Sequence, residues 1–105
     1  MSSTRFANEN GYCELNSFPG CSQIVVSNHA FIYPEKRGKG CGKKNHELRY
    51  ERARFLGYDY IICTVRANNA PELKILENNN FKELDEFTNT NTGNLVKIFG
   101  KKIIR

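Results

Sequence analysis

The run Pro34-Glu35-Lys36-Arg37-Gly38-Lys39-Gly40-Cys41-Gly42 carries the residue types and spacing best able to do chemistry. Three glycines within five residues let the backbone curl so that successive N–H groups point inward. A helix starting there adds the positive end of its dipole. Lys36, Arg37, Lys39, Lys43 and Lys44 surround the turn and only Glu35 opposes them. Such a turn suits a phosphate-bearing anion, although a solvated basic loop has the same local composition. Two common phosphate loops are excluded. A Walker loop ends in Gly-Lys-Ser/Thr, and no Ser or Thr follows Lys43 or Lys44 to hold magnesium. The dinucleotide fingerprint needs a third glycine at its sixth place, where this sequence has none. What remains is Arg37-x-x-Gly40-x-Gly42, and its flanks must decide what it does.

Those flanks read as a strand before the turn and a helix after it. Gln23 to Tyr33 has the β-branched and aromatic content of a strand, and Ser27-Asn28-His29 interrupts its apolar character, which predicts a bulge or an exposed face. Gly40 to Leu56 is expected to be helical and to end at Gly57 as a left-handed cap. Its inward stripe would use Cys41, Leu48, Ala53 and Leu56, with the stems of Arg49, Arg52 and Arg54 over the rim. Asp59 to Val65 is almost continuously apolar and reads as a buried strand, so strand, helix and strand make a right-handed crossover. Asn69 can cap a second helix that has Pro71 in its first turn and runs to Asn79, with Asn80 tolerating a left-handed conformation after it. Phe81 to Phe87 and Leu95 to Ile103 form a terminal hairpin across the polar cluster 88–94. Met1 to Asn10 is polar and expected to be loosely held. Gly11 to Leu15 is expected as a short strand before a turn at 16–20.

The order Ile32-Tyr33-Pro34-Glu35-Lys36-Arg37-Gly38-Lys39-Gly40-Cys41-Gly42-Lys43 resembles the "V-x-P-x-x-R-G-x-G-x-G" signature of the GCN5-related N-acetyltransferases (GNAT). Val65-Arg66-Ala67-Asn68-Asn69, followed by Ile75 to Phe81, resembles the later "V-x-x-x-N … E-K-x-G-F" segment of that family. Two motifs in the right order are harder to obtain by chance than one. The resemblance covers Gln23 to Phe87 and implies a mixed α/β (α+β) fold: a central, mostly antiparallel mixed sheet with a splayed strand pair, flanked by two helices, as one domain over residues 1–105. It implies acetyl-CoA as the cofactor, with the backbone of Ile32 at the pantetheine arm. Arg37, Gly38, Lys39, Gly40, Cys41, Gly42 and Lys43 would lie at the pyrophosphate, and Asn69 at the lower arm. The implied reaction is acetyl transfer to a primary amine, such as a protein or peptide lysine or N-terminus. The alternative is a non-catalytic acyl-CoA-binding module that regulates a partner.

Composition sets bounds around this reading. A chain of 105 residues fits one modest core, and 39% hydrophobic with 26% charged residues is ordinary globular composition. No stretch approaches the roughly 20 apolar residues of a membrane span, and the first residues lack an apolar signal core, so a cytoplasmic protein is expected. Cys13, Cys21, Cys41 and Cys63 form no C-x-x-C pair, and only His29 and His46 could complete a zinc site; reduced thiols and no metal are expected. Cys41 is expected as a small apolar helix residue. The formal charge of +5 permits nucleic acid, yet much of the excess surrounds the glycine-rich turn and no aromatic run of the RNA-binding type occurs.

The proton chemistry is less legible. An acceptor ammonium with a pKa of about 10.4 must lose a proton before it can attack a thioester. Many family members carry a Tyr that returns a proton to the leaving thiolate, and the aligned position here is Leu76. His29 lies on the strand expected to splay and titrates in the useful range, so it is the candidate base, ahead of Glu35, Tyr33 and Tyr50. Only about twenty residues precede that strand, so the wall that receives the acceptor in the family is expected to be largely missing. A second copy in a homodimer, or a macromolecular acceptor, would then complete it.

Overall fold

Alternation of inward and outward side chains organises the sheet. The computed structural model describes residues 3–105, without the side chains of Ser3, Phe6, His29, Ala30 and Phe31. Strand β1 is Ser3–Ala7, β2 Gly11–Phe18 and β3 Cys21–Ile32; a 3-10 turn at Pro34–Lys36 leads to helix α1, Cys41–Phe55. Strand β4 is Tyr60–Arg66, helix α2 Ala70–Asn78, β5 Lys82–Thr88 and β6 Leu95–Lys102. The six strands form one sheet in the order β1-β2-β3-β4-β6-β5. Only β3 and β4 run parallel, because α1 crosses between them.

Cys13 and Leu15 of β2, Val25 of β3 and Ile61, Cys63 and Val65 of β4 are buried on one face. Ala53 of α1 and Leu76 of α2 close the core over that face, with Tyr50 and Leu73 packed against it. Period-two alternation sends Thr64 and Arg66 to the opposite face, and both are exposed.

Three expectations need correction. Within the segment expected to be loose, residues 3–7 form a strand: β1 pairs with β2 from Ser3↔Asn16 to Ala7↔Tyr12, and Arg5 lies 4.5 Å from the centroid of the Tyr12 ring, while Met1 and Ser2 lie outside the described residues. Strand β2 extends to Phe18, so the turn is confined to Pro19 and Gly20, the latter at φ +85°. The inward stripe of α1 is not apolar. Cys41, Asn45, His46, Arg49 and Ala53 are buried, while Leu48 is half-buried and Leu56 is exposed. Steps of four residues from Cys41 through Asn45 and Arg49 to Ala53 set the helix phase, and the small Ala53 is held at the centre of the core. That phase turns Leu56 outward and carries Arg49 in from the rim.

Candidate functional site

Strand β3 is paired differently along its two edges. On the β2 side it is bonded from Cys21 to Ile32, with two register shifts: one between Ser17 and Phe18, and one where His29 and Ala30 together oppose Cys13. Two residues against one is a bulge, and it falls beside the predicted interruption. On the β4 side, pairing runs only from Ile24↔Tyr60 to Ser27↔Cys63. Both strands continue past that point, β3 to Ile32 and β4 to Arg66, without pairing to each other. The parting leaves a cleft of about 900 Å³ lined on the helix side by Ser27, Arg49, Val65 and Glu72 and on the outer side by Asn28, Thr64, Arg66 and Val96, with Arg37 and Asn69 at its edge. Backbone groups along the parted edges do not pair across the gap, and such groups need partners.

The glycine-rich turn adjoins this cleft. Gly38 and Gly40 both have φ +78°, a left-handed conformation that favours glycine, and a Cβ at either would meet open space. Helix α1 starts at Cys41 with no side-chain cap and no acid in its first turn; its first internal bond runs from Lys44 N–H to the Gly40 carbonyl at 3.2 Å. Among the described residues, the N–H groups of residues 38 to 43 donate to nothing. A helix start left in this state is a ready anion site. Arg37 ties the turn to the end of β3, its Nε donating to the Ile32 carbonyl at 3.0 Å.

Behind the cleft stands a side-chain cluster. Arg49, only 5% exposed, donates from Nη1 to Ser27 Oγ at 3.1 Å and from Nη2 to Glu72 Oε1 at 3.3 Å. The same Nη2 lies 3.4 Å from His46 Nδ1. An arginine can only donate, so Nδ1 accepts and the neutral ring carries its proton on Nε2, which has no described partner. Burial, then the charges of Arg49 and Lys101, lower the His46 pKa to about 4. His46 also meets Phe81 edge-on, with ring centroids 5.0 Å apart. Asn69 caps α2, its Oδ1 accepting from Glu72 N–H at 3.3 Å.

No known protein family and no curated protein matches the sequence itself. Solved structures do match in three dimensions. An acetyltransferase of the GNAT family from Streptococcus pneumoniae superposes with a TM-score of 0.77 over 93% of this chain and 63% of its own, at 17% identity. The fold is that of the GNAT acetyltransferases. The Escherichia coli ribosomal-protein-S18-alanine N-acetyltransferase also superposes, with a TM-score of 0.78, 15% identity and coverage of 98% of this chain and 70% of its own. A Salmonella typhimurium protein provisionally classed as an acetyltransferase, solved with its cofactor acetyl-CoA, gives a TM-score of 0.77 at 17% identity over 91% of this chain. The chain spans 59% of that protein's length.

Within this GNAT fold the sequence-predicted residues fall into two groups. Arg37 and Asn69 line the cleft, and Gly38, Lys39, Gly40, Cys41, Gly42 and Lys43 form the turn and first helical residues beside it. Ile32 pairs with Gly11 at the end of the β2–β3 ladder, and its carbonyl is occupied by Arg37. Cys41 is buried, as expected of a small apolar residue. The backbone of His29 lies at the β3 bulge, but its side chain lies outside the described residues. Sequence reasoning missed Ser27, Arg49 and Glu72. Two signals were present: Ser27 follows the inward Val25 by two residues, and Glu72 follows Asn69 by three on one helix face. Among the described residues, no helix is long and apolar enough to cross a membrane.

Proposed function

We propose that the chain is an acetyl-CoA-dependent N-acetyltransferase acting on a primary amine. The observation that carries this reading is the row of unengaged N–H groups from 38 to 43 at the mouth of the β3–β4 parting. A diphosphate fits the row, because it offers several acceptor oxygens and charge that the helix dipole and Lys39, Lys43 and Lys44 favour. Gly42 supports the fit. A Cβ there would meet Ile75 Cδ1 at 3.5 Å, an ordinary contact, and alanine is the better helix former by about 1 kcal/mol. Nothing in the fold requires glycine at 42, whereas close approach of a ligand to the helix start does.

Arg37 and residues 38 to 43 would hold the pyrophosphate, and Asn69 and the parted edges of β3 and β4 the pantetheine arm. When bound, acetyl-CoA supplies an activated acetyl group. The chain's residues orient it in the cleft, and Ser27, whose hydroxyl accepts from Arg49, keeps its own proton available to an oxygen there. The outer lining of Asn28, Thr64 and Arg66 lies on the sheet face away from both helices, which gives an amine carried on a peptide or protein a direct approach.

Leu76 favours a second reading, an acyl-CoA-binding module without turnover, since it is fully buried and offers no proton. Calorimetry with acetyl-CoA tests both readings against neither. Thiol release from saturating acetyl-CoA with lysine-containing peptides and small amines then separates them: release supports the enzyme, and its absence alongside tight binding supports the module.

A further inference from the structure

We infer that Glu72 is the catalytic base of the cleft, receiving the proton that the acceptor ammonium must lose. This deepens the acetyltransferase reading and rests on it. Asn69, Glu72 and Leu76 follow one another at intervals of three and four along α2 and so share one face. Asn69 Oδ1 caps the helix and Leu76 is fully buried, which leaves Glu72 as the one member of the face able to bring a titrating group to the cleft.

The carboxylate is held and partly open at once. Its side chain is 26% exposed, Oε1 accepts from Arg49 Nη2 at 3.3 Å, and Oε2 meets no described group. Arg49 itself is fixed by Ser27, so the carboxylate has one anchored oxygen and one turned loose. An anchored base with a free oxygen can accept a proton directly or through one water.

The groups around Glu72 come from each neighbouring element. Arg49 and, behind it, neutral His46 stand on α1; Arg66 and the buried Cys63 thiol stand on β4; Arg37 lies at the cleft edge before α1.

The ammonium gives one proton to Glu72 Oε2, from which it passes to solvent. The amine nitrogen forms its bond to the acetyl carbon as the carbon–sulfur bond breaks, and the second nitrogen proton ends on the thiolate, giving the amide and a free thiol. Glu72 is regenerated as its proton leaves.

Glu72→Gln keeps an oxygen for Arg49 and the shape of the side chain but cannot take the proton. The expected result is a fall in kcat of at least 100-fold and loss of the acid limb of the pH–rate profile, with the Kd for acetyl-CoA unchanged within twofold. Glu72→Asp should keep the acid limb and recover part of the rate. In the unliganded protein, carbon NMR of the Glu72 carboxyl should titrate at the pH of that limb. Undiminished turnover in Glu72→Gln, or an acid limb that survives it, overturns the assignment and leaves acetyl-CoA binding standing. Failure of the unaltered chain to bind acetyl-CoA overturns the assignment and the function together.

Discussion

Helix α1 contributes to two candidate sites by different means. At its amino end the functional atoms are backbone N–H groups, placed by Gly38 and Gly40 and left open because no side chain caps the helix. Along its inner face they belong to side chains, and Arg49 owes its position to Ser27 on β3 and Glu72 on α2. A backbone site is specified locally, by which residues permit the curl. A side-chain site is specified by whatever other elements bring to meet it. The first should therefore be breakable without loss of stability, whereas breaking the second should cost stability.

The largest effect is expected from Gly40→Asp. Aspartate tolerates the left-handed conformation better than most residues, and its carboxylate can cap the helix and occupy the open N–H groups. Left-handed strain of about 1–2 kcal/mol is offset by a cap worth about 1 kcal/mol, so the melting temperature should move little. Acetyl-CoA, facing that carboxylate, should bind at least 100-fold more weakly, about 3 kcal/mol. Calorimetry and a thermal melt on the same sample check both halves. Unchanged affinity would remove the turn from the site.

The inner face should respond to pH instead. His46 is neutral in the fold, with its pKa lowered from 6.5 to about 4 by burial first and then by Arg49 and Lys101. The unfolded chain binds the proton near 6.5, so stability is lost as pH falls from there and the loss is complete near 4. The difference corresponds to about 3 kcal/mol. Urea unfolding between pH 7 and 4 measures it, and His46→Leu should flatten that slope. An identical slope in the variant would refute the buried neutral ring.

The same division explains what could be read before the structure. The turn was legible because its proposed function needs rare residue types next to one another, and Arg37, Gly38, Gly40 and Gly42 are contiguous enough to be seen. The bulge at His29 and Ala30 was legible from the polar interruption in an apolar strand. Asn69 as a cap and Asn80 at φ +64° followed from local backbone preference. Strand β1 was missed because a polar five-residue segment forms a strand only when β2 offers it an edge. Arg49 was misplaced for the same reason, its partners being 22 and 23 residues away. Leu48 and Leu56 looked inward by hydropathy alone, and the helix phase that buries Ala53 overrides them.

A smaller effect should follow from Arg49→Met. Methionine fills much of the arginine's apolar length, but Ser27 Oγ and Glu72 Oε1 lose their donor. Glu72 is partly exposed and can turn to water, which keeps the cost below that of a fully buried broken pair; about 2 kcal/mol is expected. Adding Glu72→Leu should recover part of it, a coupling that a denaturant-based double-mutant cycle reads. Acetyl-CoA affinity should stay within threefold, because the proposed phosphate contacts lie at the turn. Additive losses would mean that the pair is not coupled.

Thiol reactivity gives the finest resolution of the two sites. Cys21 is exposed, whereas burial pushes the Cys13 thiol up to about 11 and the Cys63 thiol up to about 12. At pH 7.5 the thiolate fraction of both buried groups falls below about one in a thousand, so iodoacetamide should label Cys21 first. Cys41 should come next. It is buried, but it is the first residue of α1 and sits between exposed Lys39 and Gly40 and the half-buried Gly42, where opening of one turn uncovers it, while Cys63 lies mid-strand between β3 and β6. Peptide mass spectrometry over time orders the four sites. Acetyl-CoA should slow Cys41 and leave Cys21 unaffected, since only the former lies in the turn proposed to hold the pyrophosphate. Labelling of Cys63 before Cys41 would reverse the comparison, making the inner face the looser of the two sites.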